Sequence, residues 1–217
     1  MPHLNTSLTP IALKRGGLIE YERALVIQRN IHREVVGHAR PNTLLLLEHP
    51  SVFTAGRRTQ DNERPQDGTP VIDVDRGGKI TWHGPGQLIG YPIVRLANPT
   101  ELVGFVREIE AGLIAVCHEL TLSAVRIAGR SGVWIKDAHG ERKIAAIGIR
   151  VASAVTMHGF ALNVCPDLSS FNKIIPCGID DASVTSIEVE LGRKITIEEV
   201  TPLVEKHLFE SLARVSA

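Results

Sequence analysis

The residue whose type and setting best suit a nucleophile is a cysteine that stands between a proline and a glycine. Cys177 stands in the run Pro176-Cys177-Gly178, where proline restricts one backbone angle and glycine permits angles closed to other residues. A sharp turn of this kind can expose a thiol as a nucleophile. Without further information a structural cysteine is an equally good interpretation, because surroundings decide whether a thiol reacts.

The other two cysteines favour inert roles. Cys117 falls within a helical stripe and Cys165 precedes Pro166 at a predicted strand end, settings in which a buried, unreactive thiol is common. The chain has 3 cysteines and no CxxC pair, which indicates neither a zinc knuckle nor a disulfide framework. We therefore expect at least one free thiol.

A reactive thiol needs a base or cation beside it, because an ordinary thiol with a pKa of about 8.5 is mostly protonated at neutral pH. Lys143 is a candidate for this partner. It precedes residues 144–149, IAAIGI, whose alanine and glycine positions leave room beside the chain for an elongated ligand. By spacing alone, an exposed lysine at a strand end is the better interpretation of Lys143.

The segment 75–87, DRGGKITWHGPGQ, is the most unusual stretch of the chain. Its glycines allow a ligand to approach the main chain closely. Backbone N–H groups near Gly77 and Gly78, or near Gly178, are candidates to stabilise an oxyanion. Ordinary turn glycines between two strands are the alternative.

Signatures of several other enzyme classes are missing. Residues 84–90, GPGQLIG, place the third glycine one residue late for a dinucleotide site and precede a strand. No GxxxxGK[ST] phosphate loop occurs, and residues 129–133, GRSGV, end in valine where a serine-hydrolase elbow requires glycine. The 9 histidines include no HExxH pair, so we expect neither a metal nor a cofactor; His83 and His158 stand out only by their settings.

The composition is that of an ordinary globular protein. The 217 residues are 43% hydrophobic and 22% charged, with 24 basic and 24 acidic side chains. The charge balance and the lack of a basic tail argue against a nucleic-acid partner. No run approaches the length of a membrane span, and residues 1–13 lack the pattern of an export signal. We expect a cytoplasmic protein without a membrane partner.

Hydrophobic periodicity predicts helices and strands in alternation. We expect helices at 21–36, at 100–120 with Thr100 as a possible cap, and from Thr196, where Glu199 completes a capping box. The predicted strands are 44–47, 52–54, 71–74 and 88–96, a hairpin of 133–136 with 143–151, and a third strand at 155–164. Residues 44–54 fit either two buried strands or one bent strand, and residues 57–70 fit a long loop.

Four motifs, taken in order, resemble the lipoyl(octanoyl) transferases, and most closely their actinobacterial members. The motifs are RGGKITWHGPGQL at 76–88, KIAAIG at 143–148, HGFALN at 158–163 and PCG at 176–178. The resemblance extends from about residue 44 to residue 191, with no departure at the matched motif positions. It implies an α/β (α+β) fold, a mixed β-sheet flanked by helices like that of biotin and lipoate protein ligases. It also implies one domain over 1–217, with a catalytic core at about 31–215.

The resemblance further implies a reaction and its residues. An octanoyl group would pass from octanoyl-acyl carrier protein to Cys177 as a thioester, and then to a lysine ε-amine of a lipoyl domain. Cys177 and Lys143 are the implied catalytic residues, with Lys143 acting as acid and base. The implied substrate-binding residues are Arg76, Gly77, Gly78, Lys79, Ile80, Thr81, Trp82, His83, Ala146, Ile147, Gly148, Gly159, Phe160 and Ala161.

Two alternatives stay open at this point. A lipoate or biotin protein ligase shares the implied fold, but it activates a free acid with ATP. A non-enzymatic module that binds acyl groups or docks a carrier protein would need no nucleophile at Cys177.

Overall fold

The computed structural model describes residues 11–174 and 183–217, which form a large mixed sheet, a small second sheet and flanking helices. The strands are β1 Ile11–Leu18, β2 Asn42–Glu48, β3 Val52–Ala55, β4 Val71–Asp73, β5 Thr81–His83, β6 Gln87–Ile93, β7 Ala124–Ile127, β8 Arg130–Asp137, β9 Gly140–Ala152, β10 Val155–Asn163 and β11 Ser183–Val184. The helices are α1 Tyr21–Val36, α2 Leu102–Glu119, α3 Ile187–Leu191 and α4 Ile197–Leu212. Two 3₁₀ turns occupy Asp61–Glu63 and Leu168–Lys173.

The large sheet has the strand order β1-β2-β6-β10-β9-β8-β7, and β11 pairs with β9. β1 runs parallel to β2 and β11 parallel to β9, whereas the other pairs are antiparallel. The small sheet has the order β4-β3-β5. The predicted mixed sheet flanked by helices is therefore confirmed.

Helices cover both faces of the large sheet. Leu44 and Leu46 of β2 join the apolar cluster that includes α2 and α4, while Leu45 and Leu47 join the cluster beneath α1. Successive strand residues point to opposite faces, so the uninterrupted apolar run of β2 supplies both clusters at once. Among the described helices none is long and apolar enough to cross a bilayer.

The long periodic elements were predicted correctly, and so were the short strands at 52–54 and 71–74, whereas β1, β5, β7 and β11 were not predicted. The helix at 21–36 and the β8–β9–β10 meander are confirmed. The capping box is also confirmed, since Thr196 Oγ1 accepts from Glu199 N at 3.3 Å and Thr196 N donates to the Glu199 carboxylate at 3.0 Å. Thr100 as a cap was wrong: α2 begins at Leu102 without a side-chain cap, and the Thr100 hydroxyl donates to Asn98 Oδ1 at 2.8 Å.

Candidate active site

A cavity of about 260 Å³ lies on the α1 side of β6, β10 and β9. Lys143 and eleven of the predicted substrate-binding residues line it: Arg76, Gly78, Lys79, Thr81, His83, Ala146, Ile147, Gly148, Gly159, Phe160 and Ala161. Lining residues outside the predicted substrate-binding set are Tyr21, Arg58, Ile89, Tyr91, Gly129, Arg130, Ser131 and His158. Chain segments far apart in sequence thus meet around one space.

The floor of this cavity consists of small residues placed opposite one another, and the neighbouring strand requires glycine at 159, because a Cβ there would lie 1.9 Å from Gly90 O. On β9 and β10, Gly148 pairs with Gly159 and Ala146 pairs with Ala161. On the far side of Ala161, its β6 partner is the larger Ile89. Because each sheet face shows every second residue, two glycines and two alanines form a shallow trough that ends at a bulkier wall.

Lys143 is buried inside this cavity, with only 7% of its surface exposed. Val133 of β8 pairs with Ala145 and Trp134 with Lys143, so β9 holds one extra residue, Ile144, at this point. A β-bulge of this kind re-aims neighbouring side chains. The expectation of an exposed strand-end lysine was therefore wrong, because β9 begins three residues earlier, at Gly140.

The partners of Lys143 are aromatic and main-chain groups. Its Nζ lies 4.7 Å from the centre of the Trp134 ring, a cation–π contact. Its carbonyl accepts from Thr185 N at 2.9 Å, and Val184 of β11 pairs with it. Among the described residues, no carboxylate lies within ion-pair distance of the Lys143 ammonium. The side chain is thus fixed without a compensating negative charge from that part of the chain.

Cys177, with its neighbours Pro176 and Gly178, lies outside the described residues. The residues on either side of 175–182 enter one apolar cluster. Ile174 packs there with Phe53 and Phe171, and Val184 packs against the same group. Ile174 and Val184, which precede and follow residues 175–182, therefore belong to one apolar cluster, and Val184 pairs with β9.

Three predicted substrate-binding residues, Gly77, Ile80 and Trp82, do not line the cavity. Ile80 and Trp82 belong instead to the apolar cluster that contains Ile174. Gly77 uses its N–H to donate to Ile149 O at 3.1 Å. That N–H is occupied, so Gly77 is not the oxyanion donor that its glycine-rich setting suggested.

Arg76 shapes the glycine-rich segment from within. The side chain is buried, and its guanidinium donates to Gly77 O at 3.0 Å, to Lys79 O at 2.8 Å and to Thr54 O at 2.7 Å. Gly56 leaves space for it, because a Cβ there would lie 2.7 Å from the guanidinium. The segment curls around this cation, which joins the small sheet to the cavity wall.

The second glycine pair of the segment serves the turn rather than the cavity. Gly86 has φ +85°, and a Cβ there would lie 2.6 Å from Cys165 O. Its N–H donates to the Glu48 carboxylate at 2.7 Å. For Gly84 and Gly86 the turn interpretation holds, since neither lines the cavity.

A chain of buried amides sets the proton on His83. Asn163 Nδ2 donates to Thr185 O at 2.8 Å, Gln87 Nε2 donates to Asn163 Oδ1 at 2.9 Å, and Gln87 Oε1 lies 3.1 Å from His83 Nδ1. The chain ends on a carbonyl, which only accepts, so each amide has one orientation and His83 Nδ1 must donate. Burial lowers the pKa of His83 to about 3, which leaves the ring neutral with an unprotonated Nε2.

His158 is held by an acidic partner. Its Nε2 donates to Asp75 Oδ1 at 2.8 Å, and its backbone N–H donates to Gln28 Oε1 at 3.0 Å. Its φ is +58°, a left-handed conformation that costs a non-glycine residue on the order of 1–3 kcal/mol. Burial lowers the pKa of His158. Its Nδ1 has no hydrogen-bond partner among the described residues.

An aromatic group that the sequence did not indicate closes one end of the cavity. The Tyr21 ring lies parallel to His83 with 6.3 Å between centroids, and Tyr91 donates to His49 Nε2 at 2.7 Å. His49 Nδ1 donates to Ile19 O at 2.6 Å, which fixes its tautomer. Burial raises the pKa of Tyr21 to about 12, so its hydroxyl stays neutral.

Comparison with known proteins shows which family this chain belongs to. Residues 20–209 match the family model described as "Lipoyl protein ligase A/B catalytic domain". The chain belongs to this family. An octanoyltransferase of Acidothermus cellulolyticus is 59% identical over 203 residues, covering 93% of this chain and 92% of that protein. An octanoyltransferase of Salinispora tropica is 57% identical over 206 residues, covering 94% and 97%.

These relatives place the chain among the octanoyltransferases of the lipoyl protein ligase A/B family, which are acyltransferases. The resemblance noted from the four motifs is confirmed, and so is its actinobacterial character. The fold agrees as well. A bipartite lipoate protein ligase from Thermoplasma acidophilum superposes with a TM-score of 0.75 at 17% identity, covering 94% of this chain and 84% of that chain. A biotin protein ligase from Aquifex aeolicus gives 0.54 at 13% identity, covering 94% and 70%.

Proposed function

We propose that this protein transfers an octanoyl group from octanoyl-acyl carrier protein to the ε-amine of a lysine on lipoyl domains, through a thioester on Cys177. The acceptors are the lipoyl domains of E2 subunits of 2-oxoacid dehydrogenases and the H protein of the glycine cleavage system. Transfer takes place in the cytoplasm as the first step of endogenous protein lipoylation. The observation that carries the proposal is the buried Lys143, which pairs with Val184 of β11, in a chain of the octanoyltransferase family.

Lys143 handles the protons in both half-reactions. Its amine accepts the Cys177 proton as the sulfur attacks the thioester carbon of the donor, and it returns that proton to the departing pantetheine sulfur. In the second half-reaction it accepts one proton from the incoming lysine ammonium. The second proton of the new amide nitrogen goes to the Cys177 sulfur as the carbon–sulfur bond breaks. One proton then leaves Lys143 to solvent and restores the starting state.

Chain length limits how far Cys177 can lie from a described residue. Cys177 follows Ile174 by three residues, a reach of at most about 11 Å between Cα atoms. Phe171, which packs with Ile174, lines a small void together with Lys143 and Val184. The described residues that flank residues 175–182 therefore belong to the surroundings of Lys143, which supports the pairing of the two groups.

The trough suits the acyl chain. An octanoyl chain gains roughly 5 kcal/mol on burial, at about 0.8 kcal/mol per CH₂. The facing pairs Gly148–Gly159 and Ala146–Ala161 leave its floor open, and Ile89 stands at the edge. Burial on that scale retains the acyl chain but discriminates weakly between neighbouring chain lengths. The position of Ile89 at the edge therefore sets the preferred acyl-chain length.

Intact mass spectrometry tests the proposed function. Mixing the protein with octanoyl-acyl carrier protein, without ATP, should add one octanoyl group, and apo lipoyl domain should then remove it. Free octanoate with ATP serves as the comparison. If the lipoyl domain is modified only with octanoate and ATP, the protein is a ligase; if no covalent adduct forms and carrier protein merely binds, it is an acyl-binding module.

A cationic lining supports a donor that carries phosphate. Five basic side chains line the cavity, among them Lys79 and Arg130, which pair with Glu63 and Glu141 outside the lining. The other three are Arg58, Arg76 and Lys143, and no aspartate or glutamate lines the cavity among the described residues. Of these, the Arg58 side chain is exposed, and the Arg58 backbone N–H donates to Gly78 O at 3.1 Å. A phosphodiester on the pantetheine arm would match a guanidinium in this position.

Arg58→Gln should therefore raise KM for octanoyl-phosphopantetheine about 3- to 10-fold, a modest factor because an exposed charge is screened. Octanoyl-pantetheine, which lacks the phosphate, should react equally well with both proteins. Arg57→Gln is the matched control, since Arg57 is also exposed but does not line the cavity. Steady-state kinetics with the two donors measures the difference, and an equal KM change for both would rule out phosphate recognition by Arg58.

A further inference from the structure

His83 presents an unprotonated ring nitrogen to the cavity. The amide chain through Gln87 and Asn163 to the Thr185 carbonyl makes Nδ1 the donor, so Nε2 carries a lone pair. No described residue hydrogen-bonds to His83 Nε2, although the ring is only 8% exposed and lines the cavity. An acceptor that faces the cavity without a donor from the described residues is available to a donor on a ligand.

The octanoyl group cannot supply that donor. Its chain is apolar, and its thioester oxygen only accepts hydrogen bonds. The acceptor lysine supplies three N–H donors, and it must give up water to reach the thioester. Among the described residues no carboxylate lines the cavity, and Glu63 and Glu141 already pair with the lining cations Lys79 and Arg130. A neutral nitrogen acceptor is the group that this environment offers to an entering ammonium.

We propose that His83 Nε2 binds the ε-ammonium of the acceptor lysine and orients its nitrogen toward the acyl thioester, an inference that rests on the proposed function. His83 accepts a hydrogen bond and carries no proton between groups, since the proton transfers remain with Lys143. Gln87 and Asn163 are positioning residues, because they fix which nitrogen of His83 is free. Asn163 also binds Thr185 O, and Thr185 N binds Lys143 O at 2.9 Å, so one network positions the groups for both half-reactions.

The half-reactions separate this role from that of Cys177 and Lys143. His83→Phe keeps a ring beside Tyr21 and removes the acceptor nitrogen. We expect transfer from isolated octanoyl-enzyme to the lipoyl domain to slow about 10- to 100-fold more than acylation by octanoyl-acyl carrier protein does. Hydroxylamine, a neutral nucleophile that needs no ammonium site, should release the octanoyl group equally fast from both proteins.

The outcomes are distinct. Equal losses in both half-reactions, or unchanged transfer to the lipoyl domain, would overturn the role of His83. Failure of wild-type protein to form any octanoyl-enzyme would instead overturn the proposed function.

A measurement on the wild-type protein keeps the inference testable if His83→Phe does not fold. A long-range ¹H–¹⁵N correlation spectrum distinguishes the protonated from the unprotonated ring nitrogen of His83. We expect protonated Nδ1 and bare Nε2, and the opposite tautomer would overturn the inference. In Asn163→Leu, which breaks the amide chain, both tautomers should appear and transfer to the lipoyl domain should slow; a spectrum and a rate identical to those of wild type would exclude the positioning role of Asn163.

Discussion

Replacing Cys177 with serine is expected to abolish the octanoyl-enzyme and to reduce transfer to the lipoyl domain by more than about 10³-fold. A serine hydroxyl is a far weaker nucleophile than a thiolate at neutral pH, and a thioester cannot form without the sulfur. Intact mass after mixing with octanoyl-acyl carrier protein measures the first effect, and octanoylation of the lipoyl domain measures the second. Retention of more than half the wild-type transfer rate by Cys177→Ser would contradict covalent catalysis.

Cys165→Ser is the matched control for this experiment. Cys165 is half-buried, and burial, reinforced by Glu188 and Glu48, raises the pKa of its thiol. The third thiol, Cys117, lies in the apolar cluster of α2, where burial raises its pKa to about 12. Neither environment favours a thiolate, so Cys165→Ser should form the octanoyl-enzyme at the wild-type rate. If Cys165→Ser also lost the adduct, the acyl group would not be assigned to Cys177.

Replacing Lys143 with methionine is the prediction with the second largest effect. Methionine can keep the apolar stem over the Trp134 ring, while the group that accepts and returns protons is lost. General acid–base catalysis contributes about 10²- to 10⁴-fold, and we expect octanoyl transfer to fall by a factor in that range. Alkylation of Cys177 by iodoacetamide near neutral pH should slow as well, because fewer thiols lose their proton.

Lys136→Met provides the control for Lys143→Met. Lys136 lies on the neighbouring strand β8, is exposed, and pairs with Glu141 at 2.9 Å. Removal of this surface ion pair should leave transfer and alkylation within about twofold of wild type, since such pairs contribute about 0–1 kcal/mol. An unchanged alkylation rate in Lys143→Met would remove Lys143 from thiol activation, and unchanged transfer would remove it from catalysis altogether.

Local patterns were sufficient where an element is long and periodic. The apolar positions of α1 recur every three to four residues, and the capping box at Thr196 combines two short-range hydrogen bonds. The sequence pattern does not predict β1, β5 and β7, because these strands are short or carry charges and glycines. Such strands depend on partners that are remote in sequence. The wrong prediction of a helix cap at Thr100 shows the same limit, because the Thr100 hydroxyl donates a hydrogen bond to Asn98 instead.

By itself, the sequence determined the family, the mixed-sheet fold and most of the residues around the cavity, because these follow from contiguous motifs and from periodicity. The tertiary structure decided what those residues do. The bulge at Ile144 buries Lys143 against Trp134. Ile80 and Trp82 pack with Ile174 in an apolar cluster and do not line the cavity. The free nitrogen of His83 depends on hydrogen bonds from Gln87 to Asn163, 76 residues apart, and from Asn163 to Thr185, 22 residues apart, a long-range geometry that no local pattern encodes.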